Sequence, residues 1–122
     1  MAIFVYAENI NGVYKKAAFE SVSYAKAIAD QAGETVTAIT INPTDSSDLL
    51  YKYGASQVII IKDEGLKNFS AKAYAQAVNE VSTGNIIVFP HTTDASSIAP
   101  MLAIMNGFSL ITNVIETPES LS

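Results

Sequence analysis

Residues 85–106, NIIVFPHTTDASSIAPMLAIMN, carry the clearest fold signal in the chain. A short apolar run at 86–89 is followed by Pro90, by the polar turn 91–94 and by a segment with apolar residues at helical spacing. This order is typical of a buried parallel strand, a loop at the carboxyl end of a sheet and a covering helix. The stretch therefore predicts an α/β fold with a ligand crevice at the end of this strand.

The same alternation of strand and helix patterns extends over the whole chain. Apolar and β-branched runs predict five strands, at residues 2–7, 35–41, 57–62, 86–89 and 108–114. The third run is apolar throughout its interior, which is expected of a central parallel strand. Asn-Gly at 11–12 predicts a turn after the first strand, because both residues tolerate positive φ.

Four helices are predicted between these strands. The first covers residues 15–32, with Gly33 as its natural end. The second begins at a cap, Thr44 or Asp45, and ends near Tyr53, while the third begins at the cap Ser70 and runs to about residue 81. Asp94 or Ser96 is expected to cap the fourth helix, whose predicted buried stripe consists of Ile98, Leu102 and Met105.

Together these elements predict one α/β domain over residues 1–122, a three-layer sandwich with a parallel sheet. We expect the strand order 3-2-1-4-5, which places the switch in topology between the first and fourth strands. The loops 8–12 and 91–94 would then face each other across one crevice.

Composition excludes several classes of protein. About half of the 122 residues are apolar (49%), there is no cysteine, and all seven basic residues are lysine in a chain of net charge −5. The missing cysteines exclude a disulfide framework, and an acidic chain without arginine is poorly suited to nucleic acid. No apolar run approaches the length of a membrane helix and no leader pattern is visible, so we expect a cytoplasmic protein without membrane insertion.

The crevice loops contain the candidate site residues. His91 could act as a general base or contact a ligand, although a loop histidine bonded to backbone is the commoner case. Asp94 could orient His91, which would suit a hydrolase, but the chain offers no convincing nucleophile and a helix cap explains Asp94 equally well. We therefore predict no catalytic residues.

Binding is the other hypothesis for these loops. Thr92 and Thr93 lie at a predicted helix N-terminus, where an anion such as phosphate could bind, although hydroxyl-rich caps are common in ordinary helices. Glu8 could contact a ribose or a metal and is followed by Asn9 in the facing loop. No spacing of potential ligands indicates a metal site, and no glycine-rich phosphate loop occurs.

Three segments, in order, resemble the N-terminal domain of the electron transfer flavoprotein alpha subunit. They are FVYAENINGVYKKAAFESVSYAKAIAD from Phe4, LLYKYGASQVIIIKDEGLKNFSAKAYAQAV from Leu49 and IIVFPHTTDASSIAPMLA from Ile86. The K-Y-G-A and A-P-x-L-A elements are the most telling. The resemblance covers about residues 2–115 and implies a Rossmann-like sheet of the adenine nucleotide alpha hydrolase-like kind.

The resemblance also implies a function. In that family an alpha and a beta subunit form a heterodimer that carries electrons, via FAD, from dehydrogenases such as acyl-CoA dehydrogenases to a redox acceptor. FAD is held mainly by the alpha subunit's C-terminal domain, so this chain is expected to be a fragment or truncated product that binds little or no FAD. It would serve as scaffold and subunit interface, without catalysis of its own.

Two further expectations accompany the resemblance. Met101 stands where the family usually has an arginine, which argues against an inherited contact through that position. Apolar residues in the segment 108–121 are expected to seek a partner or a second copy of the chain. The alternative hypothesis is a small stand-alone protein of the same fold that binds an adenine nucleotide in the crevice.

Overall fold

A five-stranded parallel sheet forms the centre of the molecule. The computed structural model describes residues 2–82, 86–106 and 109–111. In chain order its elements are β1 (Ala2–Tyr6), β2 (Asn9–Ile10), β3 (Val13–Tyr14), α1 (Lys16–Ala32), β4 (Thr35–Ile41), α2 (Asp48–Lys52), β5 (Gln57–Ile61), a 3₁₀ turn (Glu64–Leu66), α3 (Ala71–Val81), β6 (Ile86–Val88), α4 (Thr93–Asn106) and β7 (Ser109–Ile111). The sheet order is β5-β4-β1-β6-β7 with all pairs parallel, which confirms the predicted order 3-2-1-4-5.

Side chains alternate between the two faces of the sheet and produce two cores. In β1, Ile3 and Val5 join the core beneath α1 and α2, whereas Phe4 and Tyr6 join the core beneath α3 and α4. This period of two is the consequence of the strand pleat. A helix layer on each face confirms the predicted three-layer arrangement. Each fully buried aliphatic side chain of the two cores contributes about 1.5–3 kcal/mol to the stability of the fold.

Helix α1 follows its sequence pattern closely. The side chains at i, i+4, i+7 and i+11 are buried against the sheet: Ala18, Val22, Ala25 and Ala29. The helix ends at Gly33, whose φ of 70° is left-handed and whose N–H donates to the carbonyl of Ala29. Glycine has no Cβ that would be strained in this conformation, which is why the predicted end of the helix at Gly33 is correct.

Helix α4 begins differently from the prediction. Its cap is Thr92, whose Oγ1 accepts a hydrogen bond from the N–H of Ala95 at 3.2 Å. Asp94 and Ser96 therefore lie inside the helix, and the prediction that either is its cap was wrong. The N–H of Thr92 donates to the carbonyl of Pro90 at 3.0 Å, a tight turn that places Thr92 in the capping position.

The buried face of α4 also differs in part. Ile98 and Leu102 are fully buried as predicted, together with Ala95 and Ala99. Met105 is 38% exposed, so its predicted place in the buried stripe was wrong. The helix is apolar on nearly all sides after Ser97, and its period alone could not identify the buried face.

The segment between β4 and α2 corrects a second cap. Helix α2 begins at Asp48, not at Thr44 or Asp45. Both of these residues instead bind the β2–β3 hairpin, which the sequence patterns predicted only as a turn. The polar side chains that looked like helix caps are thus partners of a distant loop.

Strand β5 lies at an edge of the sheet and not at its centre. Ile60 is 42% exposed and no residue of β5 is fully buried, so the prediction of a central strand was wrong. At the other edge, β7 matches the fifth predicted strand at 109–111, while residue 108, residues 112–114 and the rest of the apolar segment to 121 lie outside the described residues. Across the described ranges, no helix is both long enough and apolar enough to cross a membrane.

Candidate functional site

A cavity of about 750 Å³ opens at the carboxyl edge of the sheet, over the ends of β1 and β4. Its volume lies within the roughly 300–1,000 Å³ usual for small-molecule sites. The side chains that matter most to its chemistry are Tyr6, Glu8, Asn9, Phe69, Tyr74 and Asp94. The loop after β1, the 3₁₀ segment and the N-terminal turns of α3 and α4 thus share one space.

The β2–β3 hairpin forms one wall of the cavity. Asn11 (φ 53°) and Gly12 (φ 87°) make its turn with positive φ at both positions. The carbonyl of Gly12 accepts hydrogen bonds from the N–H of Thr44 (2.9 Å), the hydroxyl of Thr44 (3.1 Å) and the N–H of Asp45 (3.0 Å). The hairpin is therefore fastened to the loop after β4.

Asn9 fastens the base of the same hairpin. Its amide nitrogen donates to the carbonyl of Ile41 at 2.6 Å and to Oγ1 of Thr40 at 3.2 Å, while its Oδ1 accepts from the N–H of Gly12 at 2.9 Å. Both ends of the side-chain amide are engaged with protein groups. Asn9 consequently shapes the wall more than it offers free groups to a ligand.

Another part of the cavity wall is held by a reciprocal pair of hydrogen bonds. Asn42 donates to the carbonyl of Asp63 at 2.8 Å and accepts from the N–H of Asp63 at 2.9 Å. Further along this wall, the hydroxyl of Tyr74 donates to the carbonyl of Leu66 at 2.7 Å, and the ring of Phe69 meets that of Tyr74 edge-on at 4.9 Å. The contacts link β4, the 3₁₀ segment and α3 around the cavity.

Glu8 joins the loop after β1 to the start of α4. Its Oε1 accepts a hydrogen bond from the hydroxyl of Thr92 at 3.0 Å. Partial burial raises the pKa of Glu8 above its ordinary 4.5, the Thr92 hydrogen bond opposes that rise, and the nearby charge of Asp94 adds to it. The negative charge of the Glu8 carboxylate is thus only partly stabilised by the protein groups around it.

Tyr6 lies at the floor of the cavity, with a side chain 3% exposed and its ring 5.8 Å from that of Phe89. Burial raises the pKa of Tyr6 strongly, and the charges of Glu8 and Asp94 raise it further. The hydroxyl therefore remains protonated and is available as a hydrogen-bond donor at any physiological pH.

Comparison with known proteins identifies the family. Residues 3–120 match the electron transfer flavoprotein domain. The chain belongs to this family. Among curated relatives, the electron transfer flavoprotein subunit alpha of Thermoanaerobacterium thermosaccharolyticum is 29% identical over 114 residues, which are 88% of this chain and 34% of that protein. The chain is also 31% identical, over 107 residues, to the LctC subunit of an NAD(+),ferredoxin lactate dehydrogenase from Acetobacterium woodii, covering 83% of this chain and 25% of that subunit.

The short match and the low identity of the solved structures limit what can be inferred about this chain from its family. The chain spans about a third of the length of the alpha subunits it matches. Solved structures with a similar fold include a universal stress protein family member from Burkholderia pseudomallei, at TM-score 0.50 and 13% identity over 89% of this chain and 93% of that one. Another is a universal stress protein in complex with cAMP, at TM-score 0.50 and 13% identity over 90% and 94% of the two chains. At this identity they show a shared fold alone.

The structure of this electron transfer flavoprotein domain separates the predicted site residues into two groups. Glu8, Asn9 and Asp94 line the cavity, whereas His91, Thr92 and Thr93 are not among its lining residues. His91 is exposed, and Thr92 acts as cap and as donor to Glu8. Within residues 2–82, 86–106 and 109–111, no group of three histidine, cysteine or acidic side chains could hold a metal ion.

The sequence patterns missed the aromatic part of the cavity. Tyr6 lies in the first predicted strand and Tyr74 in the third predicted helix, and neither was among the predicted site residues. A signal was nevertheless present, because Tyr6 lies two residues before Glu8 and side chains at i and i+2 of an extended segment point to the same side.

Replacing Glu8 by glutamine should change how the stability of the domain depends on pH. Because the folded pKa of Glu8 is raised, its contribution to stability is complete below 4.5 and is lost as pH rises through the folded value. Glutamine stays neutral and can still accept from Thr92, so Glu8→Gln should gain stability relative to the natural chain between pH 4.5 and pH 7. Urea unfolding across this pH range measures the difference.

A second variant should change the pH dependence of stability in the opposite direction. The Thr92 hydroxyl favours the charged form of Glu8, so Thr92→Val should raise the pKa of Glu8 further and steepen the loss of stability with rising pH. A pH dependence identical in all three proteins would contradict this assignment of Glu8.

Proposed function

We propose that this chain is the N-terminal domain of an electron transfer flavoprotein alpha subunit, acting as a scaffold and subunit interface without catalysis of its own. In the proposed assembly it joins a beta subunit, and the complex carries electrons via FAD from dehydrogenases, such as acyl-CoA dehydrogenases, to a redox acceptor. The observation that supports this most directly is the family match over residues 3–120 together with alpha subunits among the relatives.

The residues of the cavity do not fit FAD. A flavin dinucleotide carries a diphosphate, which proteins usually hold with arginine, lysine or free N–H groups at a helix N-terminus. Here the sequence has no arginine, the first turn of α4 is capped by the Thr92 hydroxyl, and the Glu8 carboxylate lies against that cap. The diphosphate would therefore face negative charge, and we place the flavin of the proposed complex outside this domain.

An interface role has a structural basis in α4. On its outer side Met101, Ile104 and Met105 are 37%, 87% and 38% exposed, which leaves large apolar side chains in contact with water. Such groups are typical of surfaces that another protein covers. We assign this side of α4, Met101–Ile104–Met105, to contact with the beta subunit.

The alternative, a stand-alone adenine-nucleotide-binding protein, receives less support. The fold is shared with a universal stress protein that was solved with cAMP, but a 13% identity carries only the fold. The same acidic lining that disfavours FAD also disfavours AMP and ATP. Calorimetric titration with AMP, ATP and FAD distinguishes the two functions, since micromolar binding of an adenine nucleotide would favour the alternative.

The interface proposal predicts a loss of binding when Ile104 is made polar. We expect Ile104→Ser to weaken association with the beta subunit from the same genome at least about 10-fold, since buried interface anchors are commonly worth more than 1 kcal/mol. The matched control is Tyr51→Ser, which removes a 44% exposed aromatic side chain on α2, across the sheet from α4. Sedimentation or calorimetry measures the affinity.

The same preparation tests the assignment of the flavin. The chain alone should be colourless, and a yellow protein with flavin absorbance would overturn our placement of FAD outside the domain. Failure of the natural chain to bind the beta subunit, or equal weakening by both serine variants, would count against the proposed interface.

A further inference from the structure

Several polar groups of the cavity are not used by the fold. Asn9 and Asn42 are engaged with the backbone, and Glu8 uses one oxygen to accept from Thr92. In contrast, within the described part of the chain neither the Tyr6 hydroxyl nor the Asp94 carboxylate makes a hydrogen bond or ion pair. Tyr6 is 3% exposed, so its hydroxyl can reach a partner only inside the cavity. The Tyr6 hydroxyl opens onto the cavity and has no partner among the described residues, so it is available to donate to a bound group.

The charge around the cavity favours a cation. Its ionisable lining residues, apart from tyrosine, are three carboxylates, Glu8, Glu64 and Asp94, and one ammonium, Lys67. Lys67 makes no ion pair with a described residue, and the whole chain has a net charge of −5. A partly buried carboxylate is stabilised by a nearby positive charge more strongly than an exposed one, because the local dielectric constant is lower. Anionic ligands are disfavoured for the same reason.

The walls add an apolar and aromatic surface. The rings of Phe69 and Tyr74 stand edge to face at one side, and Ile41 and Leu66 contribute aliphatic groups. Phe69 is 41% exposed, so part of its ring remains open to a ligand. Aromatic rings beside carboxylates attract organic cations through both the ring quadrupole and the charge. A metal ion would not use these walls, and the described residues provide no group of ligands for one.

We infer that this cavity binds an organic cation: a primary amine on an aromatic or aliphatic body. The ammonium group lies against the carboxylates of Glu8 and Asp94, and the body packs on Phe69 and Tyr74. Tyr6 donates its hydroxyl to an acceptor on the ligand. This inference is independent of the proposed electron-transfer function, since it concerns a different face of the domain.

A series of ligands that differ only in charge tests the inference. Tyramine, its alcohol analogue 2-(4-hydroxyphenyl)ethanol and the acid 4-hydroxyphenylacetate share one ring and one chain length. By calorimetry and amide NMR shifts we expect the amine to bind about 10-fold or more tightly than the alcohol, a difference of about 1.4 kcal/mol, and the acid not to bind. The shifted amides should belong to the cavity lining.

Variants locate the charge that is responsible. Glu8→Gln keeps the acceptor for Thr92 but removes the negative charge, so it should lower tyramine affinity about 10-fold and leave the alcohol unchanged. Lys67→Gln removes the competing positive charge and should raise tyramine affinity. Glu20→Gln, an exposed change on α1 across the sheet, is the control and should have no effect.

Three results with tyramine would overturn the inference. They are absence of tyramine binding up to about 10 mM, equal affinity for amine and alcohol, and unchanged tyramine affinity in Glu8→Gln. Tighter binding of neutral adenosine than of tyramine would also overturn it, and would assign the cavity to a nucleoside.

Discussion

Phe89→Ala is expected to lower the free energy of unfolding by about 3–5 kcal/mol. Phe89 is fully buried directly after β6, and its ring lies 5.8 Å from the ring of Tyr6 beneath the cavity. Alanine would leave a void between the sheet and α4, because a closely packed interior relaxes only in part. Equilibrium unfolding in urea measures the change.

Phe69 offers a matched control for this prediction. It also contacts a tyrosine ring, Tyr74 at 4.9 Å, but it is 41% exposed. Phe69→Ala should therefore cost about 1 kcal/mol or less, chiefly the ring contact. If Phe89→Ala does not fold, Phe89→Leu should still unfold at lower urea than the natural chain. Equal costs at the two alanine positions would contradict the account of the core.

Gly12→Ala is expected to cost about 2–4 kcal/mol, the second largest effect. An added Cβ at Gly12 would lie 2.8 Å from the backbone nitrogen of Thr44 and 2.6 Å from its Cγ2, and the φ of 87° is unfavourable for any other residue. Backbone strain and the close contact add, each costing roughly 1–3 kcal/mol. The hairpin must then move away from the loop after β4, which opens one wall of the cavity.

The variant Gly33→Ala separates the cost of backbone strain from the cost of the close contact. Gly33 also has positive φ, 70°, but an added Cβ there meets nothing within 4 Å. Gly33→Ala therefore reports the backbone cost alone, about 1–2 kcal/mol. Should the two alanine variants unfold at the same urea concentration, contact with Thr44 would not be what holds the hairpin in place.

The sheet could be predicted from the sequence because each strand has its own apolar run, bounded by turn residues, and helices separate the runs. The β2–β3 hairpin could not be predicted in the same way. Its strands are two residues long and carry no periodicity, and its stability comes from Thr44 and Asp45, about thirty residues further along the chain. This long separation in sequence also explains why the cap of α2 was predicted wrongly. Residues that cap helices and residues that bind a distant loop are of the same types, so the sequence does not distinguish them.

The sequence predicted which two loops meet at the carboxyl edge of the sheet, but only some of the residues that line the cavity there. Polar residues after β1 and β6 correctly indicated adjacent loops, and the Glu8–Thr92 hydrogen bond joins them. Which side chains line the cavity depends on the exact cap of α4 and on the path of the segment between β5 and α3. Phe69 enters the cavity through the path of that segment, which no local pattern records, whereas the spacing of Tyr6 and Glu8 at the end of the first strand was a usable signal.

The central position of β1 has a consequence for the synthesis of the chain. β1 is made before the other elements of this sheet, yet it is flanked by β4 and by β6, and β6 follows about 80 residues later. At roughly 5–20 residues per second, the apolar strand AIFVY waits about 4–16 s before its second neighbour leaves the ribosome. During that interval β1, α1 and β4 can already form a right-handed crossover unit, while the opposite edge of β1 remains open. That open edge makes the nascent chain most prone to aggregate before β6 is complete.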